Sequence, residues 1–260
     1  MKAVEKSMER MQKEKVMYAK SLSYRHMCRY QSGFFFQHPL MEQYKWYWRV
    51  EPDTSFPCDV PYDPFVYLEK NNKHYGFTIT MRESVPSVKT LWNTTIAFFE
   101  DHPEHLPGQS IQAITQASAD RNFLGFLSND DGATYNMCHF WSNFEIANMD
   151  KLWRTPAYKA YFQYLDAAGG FYTERWGDAP IHSIAAALYL KPSQMHHFDD
   201  IGYFHHPNYN CPTSDDLKNK LNCECTTRRN FSWHRYSCTN EFYDRQGLQK
   251  PVGWERNPHK

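Results

Sequence analysis

No run of about 18 apolar residues occurs anywhere in the chain, so nothing in this sequence can cross a bilayer as a single helix. The first twenty residues, Met1 to Lys20, are charged throughout and lack the short apolar segment of a secretory signal. Net charge is missing as well. The 260 residues carry 29 basic and 29 acidic side chains, which removes the general electrostatic argument for a nucleic-acid or membrane-surface partner. Any anion bound here must be held by a local arrangement of groups. There is no Cys-x-x-Cys pair, no paired-histidine spacing accompanying the cysteines, no internal repeat and no low-complexity tract, so a zinc module and a repeat array find no support. The length suits one domain with peripheral elaborations.

What the chain does have is aromatics: 18 Tyr, 18 Phe and 8 Trp, 17% of its residues. Aromatic rings stack on the apolar faces of sugars, but they also fill large cores, and composition alone favours the core. Of the seven cysteines, Cys211, Cys223, Cys225 and Cys238 crowd a C-terminal segment rich in Asn, Thr, Pro and charge. A weak local core of that kind gains from cross-links, which points to disulfides and an oxidising compartment. Asn93-Thr94-Thr95 and Asn230-Phe231-Ser232 fit the glycosylation sequon. The charged N-terminus by itself reads as cytosolic; a secretory-pathway enzyme without its N-terminal anchor reconciles these signs.

Val4, Met8, Met11 and Val16 recur at roughly helical spacing among Lys and Glu, which predicts a mostly solvated amphipathic helix over residues 2–20. Tyr24 to Phe36 is expected to continue as helix or loop into the core. Tyr44 to Val50 reads as a strand stopped by Glu51-Pro52-Asp53, because proline cannot continue a ladder. Asp63 to Asn71 reads as helix, His74 to Met81 as strand and Val85 to Glu100 as a longer helix, an α/β rhythm. Residues 101–120 read as a surface connection, and Thr134 to Ile146 as a run too polar for an ordinary buried strand. Thr155 to Ala168 is predicted as a helix capped by Thr155 and closed by Gly169-Gly170. Asp178-Ala179-Pro180 opens another, with Ile181, Ile184 and Leu188 on one face, and from Pro192 the chain reads as loop-rich.

Three clusters place costly polar groups in aromatic surroundings. In Arg49-Val50-Glu51-Pro52-Asp53, two carboxylates at a strand end can supply hard oxygen ligands to Mg²⁺ or Mn²⁺, which can then bridge a diphosphate; a turn with solvated acids is the plainer reading. In His139-Phe140-Trp141-Ser142-Asn143-Phe144-Glu145, the carboxylate either faces an oxocarbenium-like sugar or pairs structurally with Arg154 or Arg175. In Asp199-Asp200-Ile201-Gly202-Tyr203-Phe204-His205-His206-Pro207, an imidazole could complete a Mn²⁺ site begun by the first cluster, although adjacent histidines are more often one core and one exposed residue.

Taken together, Ser23 to Arg29, Tyr47 to Asp53, Cys138 to Glu145, Glu174 to Pro180 and His205-His206-Pro207 resemble the fungal α-1,2-mannosyltransferases of glycosyltransferase family 15, in order and approximate spacing from about Ser21 to Trp254. The resemblance implies an α/β, GT-A-type (Rossmann-like) fold with a mixed sheet flanked by helices. It implies a Golgi-lumen, type II membrane enzyme, anchored by an N-terminal segment absent from this chain. Such enzymes transfer mannose from GDP-mannose to mannosyl acceptors of O- and N-linked glycans, with retention and with Mn²⁺. Carried over by motif, Glu51 and His206 are implied metal ligands, Glu145 the proposed nucleophile and Tyr24 a tyrosine near the reacting sugar. Arg49 and Asp53 are then expected at the donor, and Trp141, Arg175 and Asp178 at the acceptor. Family catalytic domains carry further residues ahead of the Tyr24 motif, including the first strands of the nucleotide-binding half. The expected organisation is therefore an N-terminally truncated one, with a charged helix over 1–20, a partial catalytic domain over 21–254 and a tail over 255–260. The rivals are a sugar-binding paralogue or fragment that does not catalyse, and a glycoside hydrolase using Glu51 and Glu145.

Overall fold

A computed structural model describes residues 2–106, 122–257 and 259. Helix α1 spans Lys2–Lys13 and α2 spans Leu22–Gly33. The first is amphipathic as expected, ending before Val16 rather than reaching Lys20. Its apolar stripe is thin: Met11 is buried with Val16 and Ala19, while Ser7 Oγ donates to the Thr173 carbonyl. Helix α2 begins on the Ser21 cap, whose side chain accepts from the Tyr24 amide.

Strand β1 (Trp46–Val50) ends where Pro52 forbids continuation. After β2 (Thr54–Ser55), α3 (Pro64–Lys70) starts on Asp63, whose carboxylate accepts from the amides of Phe65 and Val66. The single strand expected over His74–Met81 is two, β3 (Tyr75–Phe77) and β4 (Thr80–Arg82), because the chain passes from one sheet to another at Thr78-Ile79. The helix expected from Val85 starts late. Pro86 lies in a 3₁₀ turn over Val85–Ser87, and α4 begins only at Leu91, running to Asp101. The predicted surface connection over 101–120 lies outside the described residues from 107 onward.

Thr134 to Ile146 was expected to be too polar for burial, yet it contains β5 (Cys138–Phe140) and most of β6 (Phe144–Asn148), both wholly buried. Burial is tolerated because key polar groups are bonded: Glu145 accepts from Tyr47 and Tyr75, and Ser142 Oγ donates to Asp178, whereas Asn143 Oδ1 has no partner among the described residues. The Pro156–Ala168 helix has the Thr155 cap and the Gly169 stop, with φ +74° at the glycine. The Asp178–Tyr189 helix buries nearly every side from Asp178 to Leu188, not one face alone. The supposedly loop-rich C-terminal part adds β7 (Met195–His197), β8 (Tyr203–His205) and β9 (Asn208–Asn210).

The main sheet has the order β1-β6-β3-β7, with β3 and β7 parallel and the other pairs antiparallel, so it is mixed as expected. A second sheet, β2-β8-β9, and the β4-β5 ribbon flank it. Two disulfides, Cys58–Cys223 and Cys138–Cys238, tie the C-terminal segment to the rest, and a third, Cys211–Cys225, closes a loop within it, while Cys28 is free and buried.

Candidate active site

Arg49 is the hub. Alternation along β1 puts it on the same sheet face as Tyr47, and its register partner on β6 is Glu145. Its Nη1 reaches Asp178 Oδ2 at 2.5 Å, and its Nε reaches Glu51 Oε1 at 2.7 Å. Ser142 Oγ donates to the same Asp178 oxygen at 2.6 Å. Asp178 opens its helix, where a carboxylate meets the positive end of the helix dipole. Burial opposes both charges, but partners outweigh it. Arg49, His182 and Ser142 hold the Asp178 carboxyl below its ordinary range despite burial, and Asp178 and Glu51 raise Arg49 against its own desolvation.

Glu145 is fully buried. Tyr47 donates its hydroxyl to Oε1, Tyr75 donates to Oε2 at 2.7 Å, and His182 Nδ1 lies 2.9 Å from Oε1. The His182 ring stacks on Trp153 at 4.2 Å, and the Trp153 indole N–H donates to Tyr47 Oη at 3.1 Å. Burial pushes the Glu145 pKa up and His182 opposes it. Neither arginine suggested as its structural partner reaches it: Arg154 pairs with Asp150 at 2.9 Å, and Arg175 with Glu83 at 3.2 Å. Phe144, its neighbour in sequence, packs in a different cluster because successive side chains of a strand face opposite ways.

Tyr24 sits on α2 against Arg175, whose Nη1 is 3.4 Å from the hydroxyl and whose guanidinium lies 5.5 Å from the ring centre. Burial raises the Tyr24 pKa, keeping the phenol protonated. Tyr18 stacks on the same ring at 4.3 Å. The two halves of the site touch where Arg49 Nη2 contacts Met27 Sδ at 3.7 Å.

Of the metal-type donors, Asp53 and His205 are brought together by β2–β8 pairing, in which Thr54 is opposite His205. His205 Nε2 lies 3.3 Å from Asp53 Oδ1, and the edge of Trp141 packs on its ring at 5.0 Å. His206, the expected ligand, is exposed one residue further on, and Glu51 is half-buried beside Arg49. His205 Nδ1 is buried without a hydrogen-bond partner among the described residues. One carboxylate, Asp53, and one imidazole, His205, thus meet here, types that suit Mn²⁺, while the Glu51 carboxylate is engaged by Arg49. Cys58, Cys223 and Cys225 also lie within ligand spacing of one another, but all three are in disulfides, so they form no metal centre.

The contact residues that reasoning from sequence missed are His182, Tyr75 and Glu83; Tyr47, Ser142 and His205 stood inside the quoted motifs without an assigned partner. Of the three, His182 carried a signal, standing four residues after Asp178 and so on the same helix face.

Residues 1–247 match the family model described as glycolipid 2-alpha-mannosyltransferase, glycosyltransferase family 15. The chain is 50% identical over 247 residues to alpha-1,2 mannosyltransferase KTR1 of Saccharomyces cerevisiae, covering 95% of this chain and 60% of that protein. It is 52% identical over 242 residues to glycolipid 2-alpha-mannosyltransferase of the same yeast, covering 93% and 52%. The chain thus spans between half and two thirds of the length of these relatives. Among solved structures it is similar to core-mannan synthase A from Aspergillus fumigatus in an Mn/GDP form, with TM-score 0.81, 38% identity and coverage of 96% of this chain and 65% of that one. It is likewise similar to the mannosyltransferase Ktr4p from S. cerevisiae in complex with GDP, with TM-score 0.82, 36% identity and coverage of 96% and 62%. With these motifs seated on a mixed sheet flanked by helices, the chain belongs to glycosyltransferase family 15, the glycolipid 2-α-mannosyltransferase family.

Proposed function

We propose that this chain forms the larger part of a retaining α-1,2-mannosyltransferase that moves mannose from GDP-mannose to a mannosylated glycan or glycoprotein, serving O- and N-glycosylation and cell-wall mannoprotein synthesis in the Golgi lumen. Residues 21–254 are its share of the catalytic domain, and attachment to the membrane belongs to an N-terminal anchor. The observation that carries the reading is the β2–β8 pairing, which sets Asp53, just past the end of β1, beside His205 from the far end of the chain. The Mn/GDP form of a similar solved structure supports it.

Glu51 and His206, with Asp53 and His205 beside them, would hold Mn²⁺, which supplies Lewis-acid neutralisation of a diphosphate. Arg49 orients Glu51 and adds positive charge where the donor diphosphate binds; Asp53, exposed beside His205, reaches the metal through water. Tyr24, kept protonated by its burial, donates a hydrogen bond to the leaving phosphate or the sugar. Trp141 is half-buried and offers its ring to the acceptor. Arg175 and Asp178 are almost wholly buried, at 5% and 4% exposure, and act at the acceptor side by orienting Tyr24 and Arg49.

Retention follows either from a covalent intermediate at Glu145 or from same-face attack. The full burial of Glu145 and its three polar partners favour the second, with the carboxylate acting through its field. The deciding experiment measures GDP-mannose binding and mannose transfer on one preparation. Binding with metal-dependent transfer supports the enzyme; binding without transfer supports the inert sugar-binding paralogue; neither removes the proposal.

A further inference from the structure

The two glycosylation sequons stand in opposite environments. Asn93 is an exposed residue in the first turn of α4, with no side-chain hydrogen bond to any of the described residues, while the same helix buries Leu91, Trp92, Thr95, Phe98 and Phe99. Asn230 is 1% exposed. Its Nδ2 donates to the Cys211 carbonyl at 2.6 Å, its Oδ1 accepts from the Ser232 amide at 3.0 Å, and its own carbonyl accepts from Asn257. Ser232, the hydroxyl member of that sequon, is also fully buried, donating to the Thr78 carbonyl at 2.9 Å.

The hydroxyl members decide when modification can happen. Thr95 Oγ1 is buried against the Leu91 carbonyl at 2.9 Å and Tyr161 Oη at 2.8 Å. A transferase that must engage that hydroxyl cannot reach it in the folded protein, so any attachment precedes the docking of α4. A glycan added then at Asn93 ends on the solvent side and leaves folding free. One added at Asn230 would replace an Nδ2 hydrogen inside the core, and a bulky polar sugar cannot be accommodated there.

We propose that Asn93 is an N-glycosylation site and that Asn230 stays unmodified in the folded protein. In the step, Asn93 Nδ2 bonds to the reducing-end C1 of an oligosaccharide carried on a polyprenol pyrophosphate. The C1–oxygen bond to the pyrophosphate breaks, the pyrophosphate leaves with the electron pair, and Nδ2 gives up one proton. The three disulfides supply an independent reason to place the chain in a compartment where this chemistry occurs. Passage through the secretory pathway is the one part of the preceding reading it shares; mannosyl transfer is not required.

The whole chain, given an appended signal peptide and secreted from a eukaryotic host, tests this by endoglycosidase digestion and peptide mapping. The expected result is a single-glycan mobility shift that disappears in Asn93→Gln, with the Asn230 peptide recovered unglycosylated. Asn93 is exposed, so Asn93→Gln keeps the wild-type melting temperature. Absence of the shift in the wild-type chain, its survival in Asn93→Gln, or a glycan on Asn230 in the secreted protein overturns the proposal. An inactive but glycosylated protein would instead count against the transferase reading and leave this one standing.

Discussion

Arg49 and Asp178, 129 positions apart, form an ion pair at 2.5 Å with side chains only 11% and 6% exposed. This pair joins the end of β1 to the start of a buried helix, so the orientation of Glu51 depends on a residue far along the chain. Removing one partner strands the other charge in low dielectric. Arg49→Ala is expected to destabilise by about 3–5 kcal/mol, lowering the melting temperature by roughly 10 °C. Thermal unfolding of Arg49→Ala, Asp178→Asn and the double variant measures this; the double variant should lose less than the two single losses added together.

The metal reading predicts a graded response. Glu51→Ala and His206→Ala should shift the Mn²⁺ dependence of transfer to higher concentration on the order of tenfold or more, in line with ligand loss. The same titration on His205→Ala asks whether the imidazole that touches Asp53 shares the ion. Unchanged Mn²⁺ dependence in both Glu51→Ala and His206→Ala would refute the assignment.

Glu145 acting through its field has its own kinetic signature. Glu145→Gln should lower kcat on the order of 10²-fold with GDP-mannose KM largely kept, and no mannosyl-enzyme should accumulate in the wild type on rapid quench. A trapped adduct on Glu145 would restore the covalent route.

Asp199 makes stability depend on pH. Burial first, and then neighbouring Asp200, raise its pKa from 3.8 to about 6. Because the folded state holds the proton more tightly, its contribution is complete below about pH 3.8 and is lost as pH rises through about 6. On this half-buried group that change is worth on the order of 2 kcal/mol. Asp199→Asn should therefore match wild type in denaturant unfolding near pH 4 and exceed it at pH 7.

Cys138–Cys238 closes the chain across a separation of 100 residues, a loop long enough to stabilise by about 4.7 kcal/mol in the chain-entropy model. Cys138→Ala paired with Cys238→Ala should lower the melting temperature under non-reducing conditions, and reductant should then have a smaller effect than on wild type.

Local signals were readable wherever a few adjacent residues decide the outcome. Asp63 caps α3 by accepting from two amides within three residues of itself, Thr155 and Gly169 bound a helix between them, and Pro52 ends β1. Thr134 to Ile146 misled because its polarity was judged without the partners that make burial affordable. Those partners lie on β1, β3 and the Asp178–Tyr189 helix. The candidate site was half legible: its motifs named Tyr24, Arg49, Glu51, Asp178 and His206, but not who holds whom.

By itself the sequence determined the family, the helix caps, the strand stop at Glu51-Pro52-Asp53 and the presence of cross-links, because each is written in neighbouring residues or in motifs that survive as strings. Only the tertiary structure decided that Cys58 and Cys138 are the distant disulfide partners, that Glu145 is enclosed by two tyrosines and a histidine, and that His205 faces Asp53. Those contacts join positions roughly 40 to 165 apart in sequence, and over such separations sheet register and helix packing, not local propensity, choose the neighbour.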